Sequence, residues 1–301
     1  MHRIRVLAGG ILLLAAGPFV TSSDGKGAMS FDRVEYTIAT MEEAPQVLVV
    51  EADGKATCES HSNMYSLADP QIGTYQTTLA TAQMEELSAA LAEPAFGTLP
   101  DHWGKVNPAE PYRRIRVVRE SKAREKLVTS RLPIDPRLQA VLKLVDKLTA
   151  EVKAHPLGTL QIKITRAELR GHSLRVMFSL ENTGTQSIII RSPADLWQAP
   201  DGGMAVEVWP DRKGAPADEV KQVEIQSLES VLPETGGPLE IQPEGSISYG
   251  LTGEVELLTT PYVVRVDYRS LKKEWDDKKL LYGELFAVPA KITVVNASAA
   301  Q

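Results

Sequence analysis

The chain contains 301 residues, with 33 lysine and arginine residues against 39 aspartate and glutamate residues, and its formal net charge at pH 7 is −6. These charges form no extended block of one sign, which argues against a nucleic-acid partner. Hydrophobic residues make up 43% of the sequence and charged residues 24%, a composition that excludes a disordered or fibrous chain and, at this length, predicts two domains.

The first residues have the layout of a secretory signal peptide. A basic start at residues 1–5 is followed by an apolar run at residues 6–20, which Gly9, Gly10 and Pro18 interrupt. This run is shorter than the roughly 20 continuous apolar residues of a membrane span. We therefore predict a removed leader over residues 1–22, and an exported protein that is periplasmic or secreted.

Strands and helices are both predicted in the first half of the chain. Residues 47–50 form a β-branched run, and Asp53-Gly54 is the signal of a tight hairpin. Residues 112–118 and 125–130 also favour strands, joined by a charged turn at residues 119–124.

Two helices are predicted between and after these strands. Thr81 is a candidate N-cap for a helix that runs to about Ala92. Pro136 begins a second helix with an apolar stripe that ends near His155. The combination predicts an α+β domain over residues 31–156, in which two helices pack on an antiparallel sheet.

The second half of the chain is predicted to be all-β. Apolar residues alternate with polar ones at residues 160–164, 174–180, 206–208 and 263–266. Turn signals separate such runs, and this spacing is typical of two packed sheets. We predict a β-sandwich domain over residues 158–296.

Two segments of this half resemble a known fold. Residues 258–268 are similar to the penultimate strand of immunoglobulin-like and fibronectin-type domains, with Tyr262 at the position of the tyrosine corner. Residues 178–184 resemble the strand-Asn-Thr-Gly-strand opening of bacterial domains of this kind. The resemblance implies an immunoglobulin-like sandwich, and it implies a fold more than a function. The cysteine pair of antibody domains is missing.

Catalytic, metal and nucleotide motifs are not recognised in the sequence. The histidines have no metal-ligand spacing, and Cys58-x-x-His61 lacks a second ligand pair. Cys58 is the single cysteine, so it is either a small buried hydrophobe, a reactive thiol or the partner in an intermolecular disulfide. We therefore expect no catalytic residue, no metal and no cofactor. A catalytic site assembled from distant residues, including His61 and His102, stays an alternative.

Three tryptophans are the candidate partner-binding residues. Trp275 lies among balanced charges in the loop at residues 271–280, and tryptophan is enriched at binding hot spots. The alternative is that Trp275 folds back onto its own sandwich. Trp197 and Trp209 flank the Pro/Gly-rich residues 200–216, where they would form a sugar-stacking platform or cover the edge of the core.

These observations predict an exported, non-enzymatic binding or scaffold protein that contacts another envelope or extracellular protein through loops at the end of the sandwich. Three alternatives remain open from the sequence. The first is a proteinase inhibitor on the same sandwich, the second a carbohydrate-binding protein, and the third an enzyme with an unrecognised site in the first half.

Overall fold

The described residues are mostly β, with 57% of them in strands and 15% in helices. The computed structural model describes residues 30–39, 46–64, 70–92, 95–104, 112–129, 135–197, 199, 202–212, 219–230, 237–257 and 261–295. The predicted signal peptide, residues 1–22, lies outside these ranges. Within them, no helix has both the length and the apolar character needed to cross a bilayer.

The first half contributes seven strands and two helices to the described structure. The strands are β1 (Arg33–Ala39), β2 (Gln46–Glu51), β3 (Lys55–Ser60), β4 (Gln71–Thr78), β5 (His102–Trp103), β6 (Tyr112–Arg119) and β7 (Lys122–Thr129). The helices are α1 (Thr81–Ala90) and α2 (Pro136–Lys153).

The described part of the second half contains one short helix, α3 (Pro193–Leu196), and strands of very different lengths. The strands are β8 (Pro156–Arg170), β9 (Ser173–Asn182), β10 (Ile188–Arg191), β11 (Gly202–Pro210), β12 (Lys221–Gln222), β13 (Glu224–Ser230), β14 (Pro238–Ile241), β15 (Ser246–Glu254), β16 (Tyr262–Ser270), β17 (Glu274–Trp275), β18 (Lys278–Lys279), β19 (Gly283–Phe286), β20 (Ala290–Lys291) and β21 (Thr293–Val294).

A single twelve-stranded sheet runs through both halves. Its strand order is β13-β15-β9-β8-β4-β3-β2-β1-β6-β7-β5, and β21 pairs with β8. The pairings are antiparallel except for β5 with β7 and β21 with β8. A second sheet of five strands has the order β12-β11-β16-β19, with β20 paired to β16. Two further pairs, β10-β14 and β17-β18, complete the described sheets.

The prediction of an α+β domain followed by a separate all-β sandwich is wrong. β8 begins at Pro156, where the first domain was expected to end, and it pairs with β4 on one side and β9 on the other. Backbone hydrogen bonds therefore cross the expected boundary, with Gln71 opposite Gln161. The predicted division of the chain into two domains, with bounds at residues 156 and 158, stays a prediction.

Buried apolar side chains form two clusters. One lies between α1, α2 and the strands of the first half. The other lies between β8, β9 and β15 of the large sheet and β11, β16 and β19 of the five-stranded sheet. In this second cluster the rings of Phe178 and Tyr249 stack with their centroids 5.4 Å apart. The two sheets thus face each other, but one of them continues into the first half of the chain.

Several local predictions are confirmed. The apolar stripe of α2 is buried. At the N-terminus of this helix the Asp135 carboxylate accepts a hydrogen bond of 2.8 Å from the backbone N–H of Arg137. α1 forms as predicted, although Ala80 rather than Thr81 is its N-cap. The charged turn is shorter than expected, because only Glu120 and Ser121 leave the strands, both at positive φ.

The backbones of β4 and β8 approach each other very closely where the two strands meet. Gly73 has φ +137, and a Cβ there would lie 2.3 Å from the carbonyl oxygen of Gly158 and 2.8 Å from the Cα of Thr159. Neither distance is compatible with a side chain. Glycine thus permits the strand pairing that joins the two halves.

Replacing this glycine provides a test of the junction. Gly73→Ala should lower the free energy of unfolding by at least about 2 kcal/mol, because it combines backbone strain with overpacking. Urea unfolding followed by circular dichroism measures the change. Gly203→Ala in β11 is the matched control, since a Cβ there meets nothing within 4 Å. Equal effects of the two substitutions would contradict the tight junction.

Candidate functional site

A cleft opens beside the β4-β8 junction, with a volume of about 300 Å³. We call it the junction cleft. Its polar side chains include Glu59, His61, Lys279 and Tyr282, and its apolar wall is Leu157, Ile188, Ile189, Leu280 and Leu281. These residues come from both halves of the chain, and the cleft lies where β3 and β4 of the large sheet adjoin β10, β18 and the segment before β19.

Strand alternation places Glu59 at the cleft. Ala56, Cys58 and Ser60 are buried on one face of β3, and Glu59 lies on the opposite face. Cys58 is 0% exposed within the apolar cluster that contains the helices, which agrees with its prediction as a small buried hydrophobe. His61 directly follows β3.

The imidazole of His61 contacts the carboxylate of Glu59 and both the hydroxyl and the ring of Tyr282. Its Nε2 lies 3.5 Å from Oε2 of Glu59 and 3.2 Å from the hydroxyl of Tyr282. The His61 and Tyr282 rings are stacked, with centroids 4.2 Å apart and an interplanar angle of 16°. The hydrogen bond from His61 holds the pKa of the Glu59 carboxyl below its usual range, although partial burial opposes this effect. Glu59 is therefore ionised at neutral pH.

Hydrogen bonds from the Asn63 side chain and from the backbone join the two chain segments that carry His61 and Tyr282. The side-chain amide of Asn63 donates to the carbonyl of Phe286 at 2.9 Å, and its oxygen accepts from the Phe286 N–H at 2.8 Å. The Glu284 N–H donates to the carbonyl of His61 at 2.8 Å. A Cβ on Gly283 would lie 2.1 Å from that same carbonyl oxygen. We refer to these contacts as the Asn63 clip.

The β17-β18 hairpin forms the rim of the cleft. Its two turn residues, Asp276 and Asp277, have φ of 46° and 65°, which is the backbone of a type I′ turn. At the base of the hairpin the Leu280 N–H donates to the carbonyl of Lys273 at 2.8 Å. Lys279 of the hairpin lines the cleft, and Nζ of Lys273 lies 4.9 Å from the centroid of the Tyr282 ring.

Trp275 is half-buried beside this rim rather than at the tip of the loop. Nζ of Lys272 lies 3.9 Å from the centroid of its ring, and Cζ of Arg191 lies 5.7 Å away. The turn residues Asp276 and Asp277 occupy the tip and are exposed. Both cations are within cation–π distance, and they hold the indole in place. Its role as a contact residue stays a prediction.

The other two candidate tryptophans lie elsewhere. Trp209 is on β11, where Cζ of Arg265 lies 5.6 Å from its ring centroid and 4.9 Å from that of Phe286. Trp197 directly follows α3, and its N–H donates to the carbonyl of Pro193 at 3.0 Å. Trp209 and Trp275 thus contact different cations, and their functions stay predictions.

Arg265 also organises two carboxylates near Trp209. It binds Asp267 through two hydrogen bonds of 2.7 and 2.9 Å, and Glu207 through one of 2.8 Å. Burial nevertheless raises the pKa of Asp267 to about 6, because it outweighs the attraction of Arg265, and the nearby Glu207 and Glu284 add to the rise.

The two histidines of the enzyme hypothesis occupy separate concavities. His102 lines a surface depression of about 390 Å³ with Asp101, Arg124 and Glu125. Among the residues that the structure describes, no group of three or more His, Cys, Asp or Glu side chains could hold a metal ion. The expectation that the protein needs no metal or cofactor stays a prediction.

Sequence reasoning found only part of the junction cleft. His61 is a candidate of the enzyme hypothesis, whereas Glu59 is not predicted, although a spacing of two residues is that of side chains on one face of an extended chain. The contact with Tyr282 joins residues 221 positions apart. Spacing along the chain carries no signal for such a pair.

No protein-family model matches the chain, and no curated protein matches it. Among solved structures, 45% of the chain is similar to 15% of a β-glucosidase from Kluyveromyces marxianus, with 11% sequence identity and a TM-score of 0.22. Likewise, 46% of it is similar to 27% of a family 123 glycoside hydrolase from Clostridium perfringens, with 10% identity and a TM-score of 0.19. The chain spans less than a third of either protein, and similarities at these TM-scores carry no argument. The resemblance to immunoglobulin-like domains stays a prediction.

The raised pKa of Asp267 predicts a pH dependence of stability. Its value in the folded protein, about 6, exceeds the roughly 3.9 of an unfolded chain. The folded state therefore binds the proton more tightly, so the contribution of Asp267 to stability is present below about pH 4 and is lost as pH rises through 6.

Asp267→Asn should remove the pH-dependent contribution of this carboxyl to stability. The free energy of unfolding should then depend less on pH between 4 and 7 than it does in the unmodified protein. Urea denaturation at pH 4.5 and 7 measures the difference. Asp276→Asn, at the exposed hairpin tip, serves as the control and should retain the original pH dependence. An unchanged pH dependence in Asp267→Asn would show that this carboxyl is not responsible.

Proposed function

We propose that the chain is an exported, non-enzymatic binding protein that recognises another protein through the β17-β18 hairpin, with Trp275 as the principal contact. The observation that carries this proposal is the half-buried indole supported by Lys272 and Arg191. Tryptophan is among the residue types most enriched at binding hot spots. Arg191 is buried, so it supports the indole from within the protein and leaves Trp275 as the candidate contact residue.

The hairpin is pre-organised for binding. Its type I′ turn at Asp276 and Asp277 and the hydrogen bond from Leu280 to Lys273 fix the backbone at both ends. A segment that is already ordered loses little conformational entropy when a partner binds. This reduces the cost of recognition by a loop.

The charges around Trp275 favour an acidic partner surface. Lys272, Lys273, Lys278 and Lys279 lie in the hairpin region, whereas Arg191 beside the indole is buried and is not part of the exposed surface. Glu274, Asp276 and Asp277 offset three of the four lysine charges, so the net excess is a single positive charge. Complementary charge at an interface mainly increases the association rate and its sensitivity to salt. The predicted signal peptide supports a partner in the cell envelope or outside the cell.

Trp275→Ala tests the contact residue. The purified protein is used to capture its partner from its own cell envelope, and the affinity of the captured protein is then measured by surface plasmon resonance. Truncation of a hot-spot tryptophan costs about 2 kcal/mol or more, so the affinity should fall by roughly 30-fold.

Trp209→Ala is the matched control, because it removes another half-buried indole that also contacts an arginine. It should leave the affinity within a factor of about three. Circular dichroism and thermal melting of both variants separate lost contact from lost fold. If Trp275→Ala binds as tightly as the unmodified protein, the hairpin is not the recognition surface.

A further inference from the structure

The junction cleft has the dimensions and the two-sided lining of a small-ligand site. Its volume of about 300 Å³ is at the lower end of the range for such sites. One wall is apolar and includes Leu157, Ile188 and Leu281, and Lys279 and Tyr282 also line it. A ligand that fills the cleft would thus combine a compact apolar group with a polar group.

The charges indicate that the polar group of the ligand is an anion. Lys279 carries a positive charge into the cleft, and Lys273 lies over the Tyr282 ring. The carboxylate of Glu59 brings one negative charge, which accepts a hydrogen bond from His61 and is also attracted by Lys279, so the two lysines exceed it by one positive charge. Lysine is a compact point charge with three donors, which suits a carboxylate.

The Tyr282 hydroxyl supplies a second donor, and the tautomer of His61 decides whether it is available. A neutral imidazole Nε2 either carries a proton and donates a hydrogen bond, or is bare and accepts one. When Nε2 carries the proton, it donates to Glu59, and the Tyr282 hydroxyl is then able to donate its own proton to a ligand. When Nε2 is bare, the hydroxyl donates to it instead. An anion in the cleft favours the first arrangement, in which Lys279 and Tyr282 both donate to it.

We propose that the junction cleft binds a carboxylate that carries an adjacent apolar group of about the size of a leucine side chain. Lys279 and the Tyr282 hydroxyl bind the carboxylate, and Leu157, Ile188 and Leu281 contact the apolar group. The site goes beyond the proposed function, since Trp275 is not part of it. Such a carboxylate belongs either to a free small acid or to the C-terminal residue of a peptide.

Isothermal titration calorimetry of the purified protein tests this proposal. The probes are 4-methylpentanoate, its neutral amide, acetate, and a tripeptide ending in leucine with a free or an amidated C-terminus. We expect a free carboxylate to bind at least 10-fold more tightly than the matching amide, and acetate to bind more weakly because it lacks the apolar group. Binding of 4-methylpentanoate alone identifies a small acid, whereas binding of the free tripeptide identifies a peptide C-terminus, and either result supports the site.

Two substitutions locate the binding. Lys279→Gln should weaken binding by at least 10-fold, and Tyr282→Phe by several-fold, because each removes one donor to the carboxylate. Lys278→Gln is the matched control, since Lys278 pairs with Trp275 in the hairpin and should leave binding unchanged. Trp275→Ala should also retain carboxylate binding, which separates this site from the protein-recognition surface.

Equal affinity for acid and amide would overturn the proposal, as would an unchanged affinity in Lys279→Gln. The absence of binding by every free carboxylate at millimolar concentration would also refute it.

Discussion

The pairing of β4 with β8 is the constraint on which the rest of the structure depends. It requires the backbone of Gly73 to approach Gly158 so closely that no side chain fits between them. The result is one sheet that is covered by helices in the first half and by a second sheet in the second half. Each apolar cluster has this sheet as one of its walls, so the junction supports both.

The junction also creates the candidate site. His61 follows β3 and Tyr282 precedes β19, and the Asn63 clip joins these two segments by backbone and side-chain hydrogen bonds. The Asn63 amide pairs with both the N–H and the carbonyl of Phe286, as the backbone of a neighbouring β-strand would. Because it fixes the separation of the two segments, the stacking of His61 on Tyr282 follows from the fold rather than from the ring contact alone.

Patterns that depend on neighbouring residues were predictable from the sequence, and pairings between distant segments were not. The stripe of α2, the alternation around Phe178 and the Asp53-Gly54 turn each depend on a few consecutive positions. The choice of β4 as the neighbour of β8 has no such local signature, since any strand with one apolar face could pair there. The error in the fold class arose at this step. Within the site, the same limit separates Glu59 and His61, which are only two residues apart in the chain, from Tyr282.

The hairpin at the rim connects two surfaces through the alternation of a very short strand. In β18, Lys278 lies opposite Trp275 and Lys279 lies opposite Glu274. Directly opposed residues project to the same face, and successive residues project to opposite faces. Lys278 thus belongs to the side of the indole, whereas Lys279 reaches the junction cleft. A shift of one residue in the register would exchange these two roles. The turn formed by Asp276 and Asp277, two residues at positive φ, fixes this register, so the geometry of the turn determines which lysine serves each surface.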